Sequence, residues 1–190
     1  MKLNNQPRKI LASRMRKEST TVDTIIIHSM SEYIVNEGDI IHAIDFLNDI
    51  DLGAHYFIAP DGLVTVGVHP EFRTSHVGRS EYKGRKWLNE TSIGIEFLVD
   101  GVSTYQKFLN RISSPTYLYT SEQYIAGGEL IAGLKEQFPK ILDRIIGHDA
   151  VSGDGVRGEG RGKRDPGDYF DWGMLEGIIR EHEFKMENTP

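Results

Sequence analysis

Thr24-Ile25-Ile26-Ile27 is β-branched from end to end, does not alternate with polar residues, and stops on a histidine, His28. Such a run suits a short strand buried on both faces, so the chain has to supply helices to cover a sheet. Arg144-Ile145-Ile146-Gly147 repeats the pattern and stops on His148. Between the two, Ser92 to Leu98 alternates strictly, with Ile93, Ile95 and Phe97 on one face and Ser92, Gly94 and Glu96 on the other. The second face therefore has room beside a carboxylate.

Ile40, Ile44 and Leu47 recur at helical spacing behind Asp39 as an N-cap and ahead of Gly53 as a stop. Residues 55–59 and 63–67 flank Pro60-Asp61-Gly62, which predicts a hairpin with Gly62 at positive φ. Residues 68–91 are polar and aperiodic and read as a long surface loop. Thr120-Ser121-Glu122-Gln123 is a capping box, and Tyr124, Gly127, Ile131, Leu134 and Phe138 continue it as a helix. Gly127 and Gly128 inside that helix predict a close approach to the sheet. A final helix carries Trp172, Leu175 and Ile179 on one stripe. Intermixed strands and helices with a hairpin predict an α/β fold: a single domain with a central mixed, mostly parallel β-sheet flanked by helices.

A length of 190 residues supports one core rather than two. Cysteine is absent, which excludes a disulfide scaffold, a thiol nucleophile and Cys-ligated metal, so any metal must be held by His, Asp or Glu. The formal net charge of -6 argues against nucleic acid as the main partner. Residues 1–21 form a basic arm with Lys2, Arg8, Lys9, Arg14, Arg16 and Lys17, but they lack the apolar run of a signal peptide. The arm is expected to be a solvated tail. The chain is expected to be synthesised as a soluble cytoplasmic monomer with no membrane insertion, and residues 185–190 to form a C-terminal tail.

His28 and His148, at the ends of two buried strands, could meet at one sheet edge, and Asp165 in Lys163-Arg164-Asp165-Pro166-Gly167 lies in the loop just beyond His148. Two histidines and a carboxylate make three ligands of a catalytic zinc site with the fourth position open. Glu96 is a candidate base, and Lys163 a candidate charge for a developing oxyanion. Of the other histidines, His42 is expected on a solvated helix face and His55 as a hydrogen-bonded core residue. His69 and His76 fall in the long loop, where His76 is the better candidate for touching substrate, and His182 is structural. Gly153-Asp154-Gly155-Val156-Arg157-Gly158 matches the dinucleotide fingerprint, yet Glu159-Gly160-Arg161-Gly162 cannot open the helix that fingerprint requires. The segment reads as a flexible loop at a substrate rim.

Taken in order, these motifs resemble the zinc N-acetylmuramoyl-L-alanine amidases of the type 2 amidase and peptidoglycan recognition protein superfamily. The matching segments are His28 after Ile25-Ile26-Ile27, Ala54-His55-Tyr56-Phe57-Ile58 with Asp61-Gly62, Ser75-His76-Val77-Gly78, and Asn89-Glu90-Thr91-Ser92-Ile93-Gly94-Ile95-Glu96. Gly147-His148, Lys163-Arg164-Asp165-Pro166-Gly167 and Phe170-Asp171-Trp172 complete the series. The resemblance implies a peptidoglycan-amidase-like catalytic domain over residues 22–184, and one zinc ion per chain on His28, His148 and Asp165. It implies catalysis by Glu96 and Lys163, and His76 and Asn89 in segments that line the substrate groove. Ala54 stands where the short phage lysozymes carry a catalytic Tyr, and Ser75 where a Trp is frequent. Residues 149–162 form a longer, more Gly-rich loop than usual. The implied reaction cleaves the amide between N-acetylmuramic acid and L-alanine in peptidoglycan or a muropeptide. The basic arm and the Gly-rich loop favour a bacteriolytic phage endolysin released by a holin, with a cytoplasmic anhydro-muropeptide recycling amidase as the alternative. Relatives that bind peptidoglycan without cutting it lose a zinc ligand, and here all three ligand positions are filled.

Overall fold

The structure, a computed structural model, describes residues 2–4, 13–30, 40–99, 105–115 and 118–188. Its strands are β1 (Lys2–Asn4), β2 (Ser13–Met15), β3 (Thr24–Met30), β4 (Tyr56–Ile58), β5 (Leu63–Val66), β6 (Phe72–Thr74), β7 (Glu81–Tyr82), β8 (Arg85–Lys86), β9 (Ser92–Leu98) and β10 (Ile145–Gly147). The helices are α1 (Ile40–Asp49), α2 (Tyr105–Ile112), α3 (Ser121–Gln137), α4 (His148–Ser152), α5 (Asp154–Arg157) and α6 (Trp172–Glu187). A six-stranded sheet runs in the order β1-β5-β4-β9-β3-β10, and β4 with β5 is its antiparallel pair. This is the expected mixed, mostly parallel sheet in an α/β fold.

Both faces are covered, as the unbroken Ile25-Ile26-Ile27 run requires. Ile25, Ile27, Ile93, Ile95 and Phe97 pack toward α3 and α6 together with Leu130, Ile131, Leu175 and Ile179. On the other face Phe57, Ala59 and Leu98 pack with Ala43, Ile44 and Leu47 of α1, and Ile26 packs with Val77, Leu88 and Val151. Gly62 takes φ +78° in the β4–β5 turn, as the hairpin required. The predicted cap Asp39 lies outside the described residues, as does the side chain of His42.

The capping box is present: Gln123 N–H donates to Thr120 Oγ1 at 3.1 Å, and Thr120 N–H donates to Gln123 Oε1 at 3.1 Å. The Gln123 Nε2 end also donates to Ile58 O and Leu98 O, so one side chain caps α3 and ties the ends of β4 and β9. A Cβ on Gly127 would lie 2.7 Å from Phe97 of the sheet, whereas one on Gly128 would lie 2.4 Å from Ile178 of α6. Gly128 therefore permits helix-to-helix contact rather than contact with the sheet.

Three expectations are corrected. The basic arm is not simply a solvated tail, because β1 pairs in parallel with β5 and β2 pairs antiparallel with β6. The half-buried Arg16 donates to the carbonyls of Pro70, Asn89, Glu90 and Ser92, and burial pushes its guanidinium down to about 10. Residues 68–91 contain β6, the β7–β8 hairpin and a 3₁₀ turn at Leu88–Glu90, in elements too short to show a period. The segment after β10 folds into α4 and α5 and is pinned by Asp154, whose carboxylate accepts from Gly162 N–H and from Arg164. The helix over Asp154–Arg157 ends at Gly158 with φ +99°, so the glycine pattern still makes no dinucleotide site.

Candidate metal centre

Parallel register builds the site. β10 pairs with β3 so that Gly147 lies beside Ile27, which sets His148, the next residue, level with His28. β9 pairs with β3 on the other side so that Glu96 lies directly beside His28. Asp165 is brought back to them because its carbonyl accepts from Asp149 N–H and its Oδ2 accepts from Ser29 N–H. Tyr119 O–H donates to Pro166 O at 2.7 Å and touches Ser29 Oγ, holding the Asp165 loop from behind.

His28 Nδ1 and His148 Nδ1 are 3.0 Å apart, and Asp165 Oδ2 lies 3.0 Å from the latter and 3.6 Å from the former. These three ligand atoms all lie within 4.8 Å of one another and all three residues are buried. The chemistry of the donor set fits a cation. His148 Nε2 faces Val77 O at 3.3 Å, and a carbonyl only accepts, so a hydrogen on Nε2 is bonded there while Nδ1 faces Asp165 and His28. Burial first, and then the neighbouring His148, hold the His28 imidazole down to about 4, so that ring is neutral. Burial alone would raise the Asp165 carboxyl, but the neighbouring His148 holds it well below the usual range, so it is a carboxylate. Two imidazole nitrogens and a carboxylate oxygen facing one point make the His and carboxylate donor set of a catalytic zinc centre.

The centre opens on a cleft of about 240 Å³ that His76, Glu96 and Lys163 also line. Glu96 is 7% exposed, and its Oε2 has no hydrogen-bond partner in the structure. Burial, and then the charge of Asp165, push its carboxyl well above the usual range, while Lys163 pulls the other way. Lys163 is held by its backbone N–H, which donates to Ser152 O at 2.9 Å. Phe46, Ile50, Leu52 and Phe108 add apolar side chains to the cleft lining.

His28, His148, Asp165, Glu96 and Lys163 are thus brought together. Asn89 is not among the cleft residues: its Oδ1 accepts from the N–H groups of His76 and Val77. His76 reaches the cleft wall but is buried, with its ring against His28. His55 is a hydrogen-bonded core residue as expected, fully buried, with Nδ1 accepting from Gly94 N–H. His69 is exposed beside Glu71, and His182 faces Glu129 across α6 and α3. Sequence reasoning did not single out Tyr119, Ser29, Ser152 or Arg157. Arg157 and Ser152 both donate to Val77 O, the same carbonyl that orients His148.

Comparison with known proteins agrees with this geometry. The sequence profile of the N-acetylmuramoyl-L-alanine amidases matches residues 18–168. A 1,6-anhydro-N-acetylmuramyl-L-alanine amidase, AmpD of Haemophilus influenzae, is 35% identical over 122 residues, covering 64% of this chain and 55% of that protein. The chain therefore aligns with little more than half the length of that relative. The crystal structure of a selenomethionine derivative of AmpD superposes with a TM-score of 0.69 at 22% identity, covering 94% of each chain. AmpDh3 of Pseudomonas aeruginosa in complex with anhydromuramic pentapeptide superposes with a TM-score of 0.65 at 21% identity, covering 90% of this chain and 66% of that one. These two superpositions speak to the fold, and the profile match over most of the chain settles the family: the protein belongs to the N-acetylmuramoyl-L-alanine amidases.

Proposed function

We propose that this protein is a zinc-dependent amidase that cleaves the bond between anhydro-N-acetylmuramic acid and L-alanine in soluble muropeptides. The observation that carries the reading is Glu96, a buried carboxyl with an unpartnered oxygen, held by strand register beside three converging metal donors. A zinc ion on His28, His148 and Asp165 would supply Lewis-acid polarisation of the scissile carbonyl and would lower the pKa of water toward neutrality.

The protein's own groups do the rest. Glu96 takes the proton of the attacking water and returns it to the departing L-alanine nitrogen, so that the amide C–N bond breaks and a carboxylate and an amine leave. Burial shifts the Glu96 carboxyl upward from the usual carboxylate range, the direction that suits a base which must later act as an acid. Lys163 faces the same cleft with a positive charge where the tetrahedral oxyanion develops. Phe46, Ile50 and Leu52 give the cleft an apolar surface against which a substrate can lie.

The choice of substrate rests on the relatives. The curated proteins that match are named as 1,6-anhydro-muramyl amidases, which supports the recycling role over the endolysin role favoured by the basic arm. The arm also loses weight as an argument for binding polymeric wall, because Arg16 is spent on backbone carbonyls. Incubating the zinc-loaded protein with a 1,6-anhydro-muropeptide and, separately, with intact peptidoglycan tests the assignment. Release of L-alanine-terminated peptide at least ten times faster from the soluble substrate, weighed as about 1.4 kcal/mol of discrimination, is expected. Equal or faster release from intact wall would return the lytic reading.

A further inference from the structure

His28 uses both ring nitrogens, and only one of them faces the metal centre. Its Nε2 lies 2.9 Å from His76 Nδ1, His76 Nε2 lies 3.0 Å from Ser92 Oγ, and Ser92 Oγ donates to Leu88 O at 2.6 Å. The hydrogens along this chain can be assigned from its far end. Leu88 O only accepts, so Ser92 must spend its one hydrogen there and can only accept from His76. His76 therefore carries its hydrogen on Nε2, its Nδ1 accepts, and His28 must carry its hydrogen on Nε2. Nδ1 of His28 is left with a lone pair pointing at His148 and Asp165.

Other features keep His76 in this role rather than free to meet substrate. Asn89 Oδ1 accepts from the backbone N–H groups of both His76 and Val77. A Cβ on Gly94 would lie 2.4 Å from His76 Nδ1, so the absent side chain of Gly94 is the space the ring occupies. The His55 ring packs edge-on against it, with centroids 5.4 Å apart.

We infer that His76 is a positioning residue which, through Ser92 and the Leu88 carbonyl, fixes the His28 tautomer and so presets the metal centre. The inference rests on the proposed zinc reading for its consequence, though not for its geometry. Outer partners of metal-bound histidine typically change metal affinity by about 10- to 100-fold.

Two readouts test it. Zinc affinity, measured by competition with a chromophoric chelator, should weaken by about 10- to 100-fold in His76→Leu, while His76→Asn, which keeps an acceptor near the Nδ1 position, should recover most of it. The KM for muropeptide, measured at saturating zinc, should stay within about twofold in both variants. Unchanged zinc affinity together with a raised KM in His76→Leu would overturn the inference and make His76 a substrate contact. Imidazole ¹⁵N spectra of the metal-free protein supply the second readout. His28 should be protonated at Nε2 in the unsubstituted protein and should become a tautomer mixture in His76→Leu and, more mildly, in Ser92→Ala, a smaller change that keeps the protein folded if His76→Leu does not. A His28 tautomer indifferent to both substitutions would refute the relay. Failure of the unsubstituted protein to bind zinc would refute the zinc reading instead, and the spectra would still decide the relay.

Discussion

His28 and Glu96 sit side by side on adjacent parallel strands, one in the cluster with His148 and Asp165 that could hold a metal and the other a buried carboxyl without a partner for Oε2. Because parallel register is fixed over seven residue pairs between β3 and β9, the spacing of these two side chains is a property of the sheet and not of a loop. A one-residue slip of β9 would turn Glu96 to the opposite face, toward the α3 contacts, and leave His28 without it.

Glu96→Gln keeps the shape of the carboxyl and removes its basicity. Amide cleavage should fall by about 10² to 10⁴ in kcat, while zinc still binds at one equivalent, as read by metal analysis of the purified variant. A loss of bound zinc equal to the loss of turnover would mean that Glu96 is a ligand and not the base.

Zinc should stabilise the fold because only the folded chain brings His28, His148 and Asp165 together. At a free zinc concentration about 1,000 times Kd the gain is about 4 kcal/mol, seen as a higher Tm that chelator abolishes. His148→Ala should lose this zinc-dependent increment. Retention of the full increment in that variant would place the metal elsewhere.

Arg16 joins the N-terminal arm to the loop that carries His76. Arg16→Ala leaves the half-buried carbonyls of Asn89 and Ser92 without this donor and should cost about 1–3 kcal/mol in urea unfolding. Arg16→Lys should recover little, since a single ammonium cannot reproduce the fork of donors.

Burial first, and then the Arg16 guanidinium, hold the His55 imidazole down to about 3. An unfolded chain takes up a proton there near pH 6.5 and the folded chain does not. The contribution to stability is therefore complete above about pH 6.5 and is lost as pH falls toward about 3, by up to about 1.4 kcal/mol per pH unit. Unfolding midpoints of the metal-free protein between pH 7 and 5 should drop less steeply in His55→Gln. Identical slopes would show that another group carries the acid sensitivity.

The sequence displayed the strands through Ile25-Ile26-Ile27 and the alternation of Ser92 to Leu98, and it displayed the site because His28, His148 and Glu96 lie on or at the ends of those strands. Parallel pairing then made neighbours of residues 120 positions apart. What stayed hidden depended on direction and not on residue type. His76 looks like a loop histidine until the bonds to His28 and Ser92 are seen, and Arg16 looks like a solvated charge until four carbonyls converge on it. The helix over Tyr105–Ile112 escaped notice because it is short, although Phe108 and Ile112 are buried.

The central claim is that zinc held by His28, His148 and Asp165 drives cleavage of the muramyl amide. The most direct measurement titrates zinc into the metal-free protein while following release of L-alanine-terminated peptide from a 1,6-anhydro-muropeptide in the same samples. Activity that rises from zero and saturates at one zinc per chain, and that is absent in His148→Ala, is the predicted result. Full cleavage after exhaustive removal of zinc, or no cleavage with one zinc bound, would contradict it.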